Sequence, residues 1–410
     1  MLTRTIQVSN SNSLEAADGI RFAEDRDNDL ALYVHVPFCV KRCNYCDFYS
    51  CTALGLIDDY CEVLIRHIKS YGTGNLRDVA GKFKSSLVKS VYFGGGTPSL
   101  LRERLSEILA AIMQVFELAD TCEVTIEVNP ESFDEQLASL LAEAGFNRVS
   151  VGVQSLNNEV LQLLGRNHDA TQAKDALRIV RDHDFRVSAD FIVGLPKVRS
   201  EHSFDKDWKA ITSLVEHVSV YPLTAEEGTP LERMLEEGLV TLPGEDEVAA
   251  EIMHIEKLLS NEGFERYEIS SYAKSGQMSR QNLRYWQGGN YLGFGPSAAG
   301  MTNSECGRRT RYVRYDNLED FLNDPKHEKQ IPAESEVLSP EEALREDIML
   351  ALRTKRGAQT SKVIAANLSD ICNELVEKGL LMQEDKHYRC TTEGWLLGNI
   401  VFFAIWLGGK

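Results

Sequence analysis

Residues 32–48 read LYVHVPFCVKRCNYCDF, and both the fold and the chemistry turn on this stretch. Cys39, Cys43 and Cys46 are spaced C-x3-C-x2-C directly after the β-rich run Leu32–Val36. Thiolates are soft ligands suited to iron–sulfur clusters or zinc. A closed structural zinc site needs four ligands. Three cysteines on a [4Fe–4S] cluster leave one iron without a protein ligand, open to a substrate or cofactor. The spacing therefore suggests a reactive cluster. Two plainer readings stand beside it: zinc with His35 as a fourth ligand, and reduced cysteines packed as small apolar groups.

Working outward, short β-rich runs alternate with longer helical ones. The pattern predicts strands at Leu32–Val36, Ser90–Phe93, Val124–Val128, Arg148–Gln154, Arg186–Val193 and Val218–Leu223. Between them it predicts helices at Ile57–Tyr71, Leu101–Phe116, Asp134–Ala144, Asn158–Leu164, Ala170–Asp182 and Phe204–Leu214. Such alternation implies a parallel sheet, here a partial (βα)6 TIM-like barrel in the α/β class. Chemistry in these folds gathers at the carboxyl ends of the strands. The unusual residues fall there: the cysteines, Gly94-Gly95-Gly96-Thr97-Pro98, Glu127 with Asn129 and Pro130, Gln154, Asp190 within the fifth strand and Tyr221 near the end of the sixth.

Each has its own chemistry. Three glycines let backbone approach a ligand and expose N–H and C=O groups to it. Glu127 can pair an ammonium or accept ribose hydroxyls; taken alone it reads as a solvated carboxylate. Gln154 can bind a ligand or satisfy backbone groups. Arg166, in LLGRNH, offers a guanidinium that can hold a carboxylate bidentately. Asp190 is a charge in an apolar run and needs a partner. His168 reads as a surface histidine with its hydrogen bonds satisfied.

The cysteine motif resembles the radical S-adenosylmethionine (SAM) superfamily. Tyr33, His35, Pro37, Phe38, Tyr45, Asp47 and Phe48 narrow the resemblance to the branch that holds oxygen-independent coproporphyrinogen III dehydrogenase and the heme chaperone HemW. The resemblance implies a [4Fe–4S] cluster on Cys39, Cys43 and Cys46, with SAM on the open iron. It further implies cofactor contacts from Tyr33, Tyr45, Gly95, Gly96, Thr97, Glu127, Gln154, Arg166 and Asp190, and a loop-ordering role for His35. The dehydrogenase has another cysteine two residues past the third. Phe48 stands there, as in HemW-like proteins. The function implied is therefore a heme chaperone that delivers heme to client hemoproteins, with a radical porphyrin-pathway enzyme as the alternative.

Beyond the barrel, residues 229–338 read as an α+β extension with a short strand at Tyr267–Ile269. It contains RQNLRYWQGGNYLGFGPSAAG at 280–300, whose aromatics and glycines suit either a flat apolar ligand or a packed irregular loop. HemW-like proteins carry a His-Asn-x-x-Tyr-Trp motif there. This chain has Gln281 at the leading position and Ala299 where a second histidine is usual. Neither side chain is a strong iron ligand. Residues 339–410 predict a helix opening on Ser-Pro-Glu-Glu, then helix, hairpin and helix in a small winged-helix-like module. Residues 1–29 are polar and acidic and read as a loose extension, with a helix around Leu14–Phe22 as the alternative.

Composition bounds the rest. The chain has 410 residues and a formal net charge of −18, which argues against broad nucleic-acid binding. Of nine cysteines, the six outside the motif are scattered and do not suggest a secreted disulfide framework, so a reducing cytoplasm is expected. The apolar run 399–407 is too short to span a bilayer and reads as a terminal helix, with peripheral membrane contact left open.

Overall fold

The computed structural model describes residues 29–72, 83, 86–198, 204–324 and 334–408. The loose extension and the alternative helix at 14–22 thus lie outside the described residues, apart from Asp29, which opens the first strand.

Six strand–helix units run in chain order. They are β1 (Asp29–Val36), α1 (Ile57–Gly72), β2 (Leu87–Gly95), α2 (Arg104–Val115), β3 (Glu117–Val128), α3 (Glu135–Ala144), β4 (Arg148–Gln154), α4 (Asn158–Leu163), α5 (Ala170–Asp182), β5 (Arg186–Val193), α6 (Phe204–Ile211) and β6 (His217–Pro222). The strands pair in sequence order, all parallel, as the alternation predicts. Their apolar side chains join one core with the inner faces of the helices. The fold is the α/β arc of a partial TIM-like barrel.

Local chemistry sets the boundaries. Asp134 sits just outside α3 and accepts from Leu137 N–H, and Asp169 forms a capping box with Gln172 at α5. The predicted helix from Leu101 begins instead at Arg104, because Pro98–Leu101 forms a separate 3₁₀ turn. The helix predicted to reach Leu214 stops at Ile211.

The rest of the chain differs more from expectation. After α7 (Pro230–Glu236) and α8 (Glu245–Asn261), β7 (Glu265–Arg266) and β8 (Ser271–Ala273) add antiparallel strands beyond β6. The predicted strand Tyr267–Ile269 is the turn between them. Next come α9 (Arg280–Trp286), β9 (Tyr291–Phe294), β10 (Ala299–Asn303), β11 (Arg309–Val313), α10 (Leu318–Asn323) and β12 (Glu334–Leu338). Strand β9 pairs parallel to β1, and β10 to β12 continue outward from it. One sheet therefore runs β12-β11-β10-β9-β1-β2-β3-β4-β5-β6-β8-β7. The segment after the barrel widens the barrel's own sheet at both edges.

The C-terminal part has a second core. It comprises α11 (Pro340–Ala351), β13 (Ala358–Gln359), α12 (Thr360–Ala365), α13 (Ser369–Glu377), the hairpin β14 (Leu381–Glu384) and β15 (His387–Cys390), α14 (Thr392–Leu396) and α15 (Gly398–Leu407). Ser339 closes a capping box with Glu342, as its Ser-Pro-Glu-Glu start predicts. Helix α15 buries Val401, Phe402 and Ile405 and leaves Ile400 and Phe403 exposed. No helix among the described residues is long and apolar enough to cross a membrane.

Candidate functional site

The cysteine loop begins where β1 ends. Its two ends are clamped together: Cys51 N–H donates to Pro37 O at 2.7 Å and Cys39 N–H donates to Cys51 O at 2.9 Å. Phe38 anchors the clamp, fully buried with its ring edge-on to Tyr60. The middle of the loop is tied to the barrel through Asn44, whose backbone N–H donates to Leu164 O (2.9 Å) and whose side chain donates to Leu163 O (2.7 Å). Cys39, Cys43 and Cys46 are unpaired and partly exposed. Burial raises the Cys39 and Cys46 thiols, as befits groups awaiting a positive partner.

The glycine-rich turn packs directly beneath this loop. Gly96 N–H donates to Val36 O at 2.8 Å. A Cβ on Gly96 would stand 2.6 Å from Phe38 O and 3.0 Å from Cys39 Sγ. Gly95 has φ +111°, and a Cβ there would lie 2.7 Å from the His35 ring. His35 occupies that space with both ring nitrogens engaged. Its Nε2 meets Tyr49 O at 2.9 Å and its Nδ1 meets Tyr33 Oη at 3.1 Å. A carbonyl can only accept, so Nε2 carries the proton and, in the neutral ring that burial favours, Tyr33 donates to Nδ1. With both nitrogens used inside the protein, His35 is not a fourth metal ligand.

Deeper in the arc, Tyr92 donates to Glu127 Oε1 at 2.6 Å and Gly95 N–H donates to Oε2 at 3.2 Å. Burial, with a further push from the Asp190 charge, raises the Glu127 carboxyl to about 7. Burial also raises Asp190, which accepts from Ser150 Oγ at 3.0 Å. Gly94 keeps the space among Tyr33, Tyr92 and Glu127 open, since a Cβ there would approach each within 3.1 Å.

At the next strand end, Gln154 adopts φ +63°, a left-handed backbone that only an over-determined position keeps. Its amide, the Arg166 guanidinium and Asn129 converge over Gly152, where a Cβ would lie 3.0, 3.2 and 3.4 Å from them. Arg166 donates to Asn129 Oδ1 (2.7 Å), Gly152 O (3.0 Å) and Cys43 Sγ (3.5 Å), while its Nε is buried without a partner. Thr97 is 3% exposed and turned towards Cys39. Tyr45 packs its ring against a small apolar group with Val160, Leu164 and Ile192, its hydroxyl beside Arg166.

The structure thus brings Cys39, Cys43, Cys46, Gly95, Gly96, Thr97, Arg166, Gln154 and Tyr45 around one loop, with Tyr33, Glu127 and Asp190 further in. Sequence reading noted Asn129 only as a strand end and passed over Gly152 and Tyr92. The signal for Gly152 was a glycine inside a strand, which marks close approach. His168 is not a surface residue. It is 4% exposed, its Nε2 donates to Val153 O at 3.1 Å and its Nδ1 lies 3.3 Å from Glu131.

Segment 277–286 lies at the opposite end of the strands. Glu123, near the start of the regular part of β3, accepts from Arg280 N–H (2.9 Å), Gln281 N–H (3.3 Å) and Arg186 (2.8 Å). Arg186 also donates to Gln277 Oε1 and Met278 O. Helix α9 is therefore fastened across the barrel floor, with Tyr285 electrostatically coupled to Tyr33 and Glu127. Gln281 is 1% exposed and donates to Tyr285 Oη at 2.8 Å. The stretch is not an irregular loop: it forms helix α9 and strand β9. Ala299 stands exposed on β10.

Three soft thiolates on one loop suit an iron–sulfur cluster. Among the described residues no three His, Cys, Asp or Glu side chains gather around one metal position. A cluster spreads its thiolates over separate irons. The thiols are partly exposed and the Arg166 Nε has a proton left to donate, which fits such a group with a polar ligand beside it.

Comparison with known proteins agrees with this geometry. The family model described as Radical SAM superfamily matches residues 33–203, and that of the HemN C-terminal domain matches residues 338–397. Heme chaperone HemW of Lactococcus lactis is 31% identical over 383 residues, covering 90% of this chain and 95% of that protein. HemW of Bacillus subtilis is 30% identical over 91% of this chain and 98% of that protein. The mitochondrial radical S-adenosyl methionine domain-containing protein 1 of Mus musculus is 33% identical over 90% and 86%. The solved structure of Escherichia coli coproporphyrinogen III oxidase (HemN), a radical SAM enzyme, superposes with a TM-score of 0.74 at 22% identity over 93% of this chain and 90% of that one, which shows a shared fold. Membership of the superfamily implies a [4Fe–4S] cluster and SAM. The chain belongs to the HemW family within the radical SAM superfamily.

Proposed function

We propose that this protein is a heme chaperone: it holds a [4Fe–4S] cluster on Cys39, Cys43 and Cys46, binds SAM beside it, and passes heme to client hemoproteins. The observation that carries the reading is the likeness to HemW along 95% of the Lactococcus protein's length. Phe48, 65% exposed at the position where the dehydrogenase has its extra cysteine, supports it. In the same reading Tyr33, Tyr45, Gly95, Gly96, Thr97, Glu127, Gln154, Arg166 and Asp190 serve the cofactor. The pair Glu127 and Arg166 suits the ammonium and carboxylate of an amino-acid moiety.

Heme is held without an imidazole from position 281, because that residue is a glutamine, and it lies buried in the barrel floor. The exposed apolar face of α15 supports contact with a client protein or a membrane surface. A reducing compartment, the cytoplasm, suits the unpaired cysteines. Residues 30–228, 229–338 and 339–410 are offered as the working division into barrel, extension and C-terminal module.

Anaerobic reconstitution tests the cofactor half. It should yield about four irons per chain and a cluster spectrum that changes on adding SAM. Incubation of the reduced, SAM-loaded protein with coproporphyrinogen III tests the other half. No protoporphyrinogen is expected; its formation would replace the chaperone reading with the dehydrogenase one.

A further inference from the structure

A one-way chain of hydrogen bonds joins two of the three thiols. Arg166 uses one terminal nitrogen on Cys43 Sγ (3.5 Å) and the other on Asn129 Oδ1 (2.7 Å). Asn129 Nδ2 donates to Thr97 Oγ1 at 3.0 Å, and the Thr97 hydroxyl donates to Cys39 Sγ at 3.7 Å. The directions follow once Cys39 is a thiolate, which can only accept. A guanidinium only donates, so the amide oxygen of Asn129 must face it. The amide nitrogen must then face Thr97. Having accepted from Asn129, Thr97 has its own proton left for the thiol. The members come from the ends of β2 and β3 and from the loop after α4, and Arg166 and Asn129 meet over Gly152.

We propose that Arg166, Asn129 and Thr97 act as a relay that raises the reduction potential of the cluster bound through Cys39 and Cys43. The proposal rests on the reading that these cysteines hold a cluster. Its physical basis is charge. Reduction adds negative charge to the cluster and its thiolates, so donors aimed at the sulfurs stabilise the reduced state more than the oxidised one. The relay also makes Asn129 a positioning residue. It touches neither sulfur, and acts by fixing which way the Thr97 hydroxyl points.

The test is an anaerobic redox titration of the SAM-free, cluster-loaded protein, monitored by electron paramagnetic resonance with iron content measured in parallel. Thr97→Val removes the hydroxyl at nearly constant shape and should move the midpoint to more negative potential. A tenfold change in the one-electron equilibrium is about 59 mV. Thr97→Ser keeps the donor and should stay near the wild type. Asn129→Leu should shift the midpoint in the same direction, and should add little in the Thr97→Val background because it acts through Thr97. If Thr97→Val cannot retain its irons, Asn129→Leu and Thr97→Ser decide the matter. Unchanged midpoints in cluster-loaded Thr97→Val and Asn129→Leu would overturn the relay and leave the cluster assignment standing. A wild type that binds no four-iron cluster would overturn the assignment itself, and the relay with it.

Discussion

Glu127 shows how a residue can be visible in sequence while its chemistry is not. TIEVNPE places a carboxylate at a strand end, but only the structure supplies the burial, the Asp190 charge and the Tyr92 and Gly95 donors that together set its carboxyl at about 7. The folded-state value lies above the ordinary 4.5, so the folded protein binds the extra proton. The stability that Glu127 contributes in the cofactor-free protein is therefore complete below about 4.5 and lost as pH rises through about 7. Urea denaturation at a series of pH values should show that fall, and Glu127→Gln should shrink it; an identical slope in the variant would reject the assignment. Gly96 was legible as part of a turn, whereas its steric role depends on a distant loop folding over it. Gly96→Ala sets a Cβ 2.6 Å from the Phe38 carbonyl, backbone that cannot swing aside. It should lose iron on anaerobic reconstitution, whereas Gly55→Ala, with nothing within 4 Å, should retain it.

Among the elements, the six parallel strands were readable because strands buried on both faces are near-continuous apolar runs bounded by helical periodicity. The capped helices were readable because Asp134 and Ser339 mark their starts. The short strands β7 to β12 were not anticipated. They are edge additions of two to five residues, rich in glycine or charge, whose pairing is fixed by the sheet they join. Helix α9 illustrates the same limit. The stretch was singled out for its aromatics, while its position on the barrel floor depends on Glu123, more than 150 residues earlier in the chain. Glu123→Ala would leave two helix-terminal N–H groups without their acceptor, while Arg186 keeps Gln277 and Met278. Leaving buried donors unsatisfied in this way costs about 1–3 kcal/mol. Equilibrium urea unfolding should show a loss of that order; a loss within experimental error would mean α9 is held by packing alone.

At the scale of the whole molecule, two cores meet across an ionic seam that no local pattern announces. Arg309 on β11 bonds Glu346 at 2.5 Å and Asp347 at 2.7 Å, both on α11, and Lys362 reaches Asp347 at 3.2 Å. Ile269 N–H adds a backbone bond to Arg353 O at 2.8 Å. Arg309→Met removes the cation that Glu346 and Asp347 share, leaving Glu346 to Arg311 and Asp347 to Lys362. Amide hydrogen exchange in that variant should accelerate across 340–408 while the barrel strands stay protected; uniform acceleration would show that the two cores unfold as one. The candidate cofactor site was largely legible in the cysteine and glycine motifs, whereas Gln281 and Ala299 offer no ligand from which heme binding could be read. An anaerobic heme titration of the cluster-loaded protein, followed at the Soret band and completed by adding an apo-hemoprotein, tests the central claim most directly. The account predicts saturable, stoichiometric binding that survives Gln281→Ala, and transfer of the bound heme to the acceptor. Absorbance that rises without saturation, with nothing transferred, would contradict it.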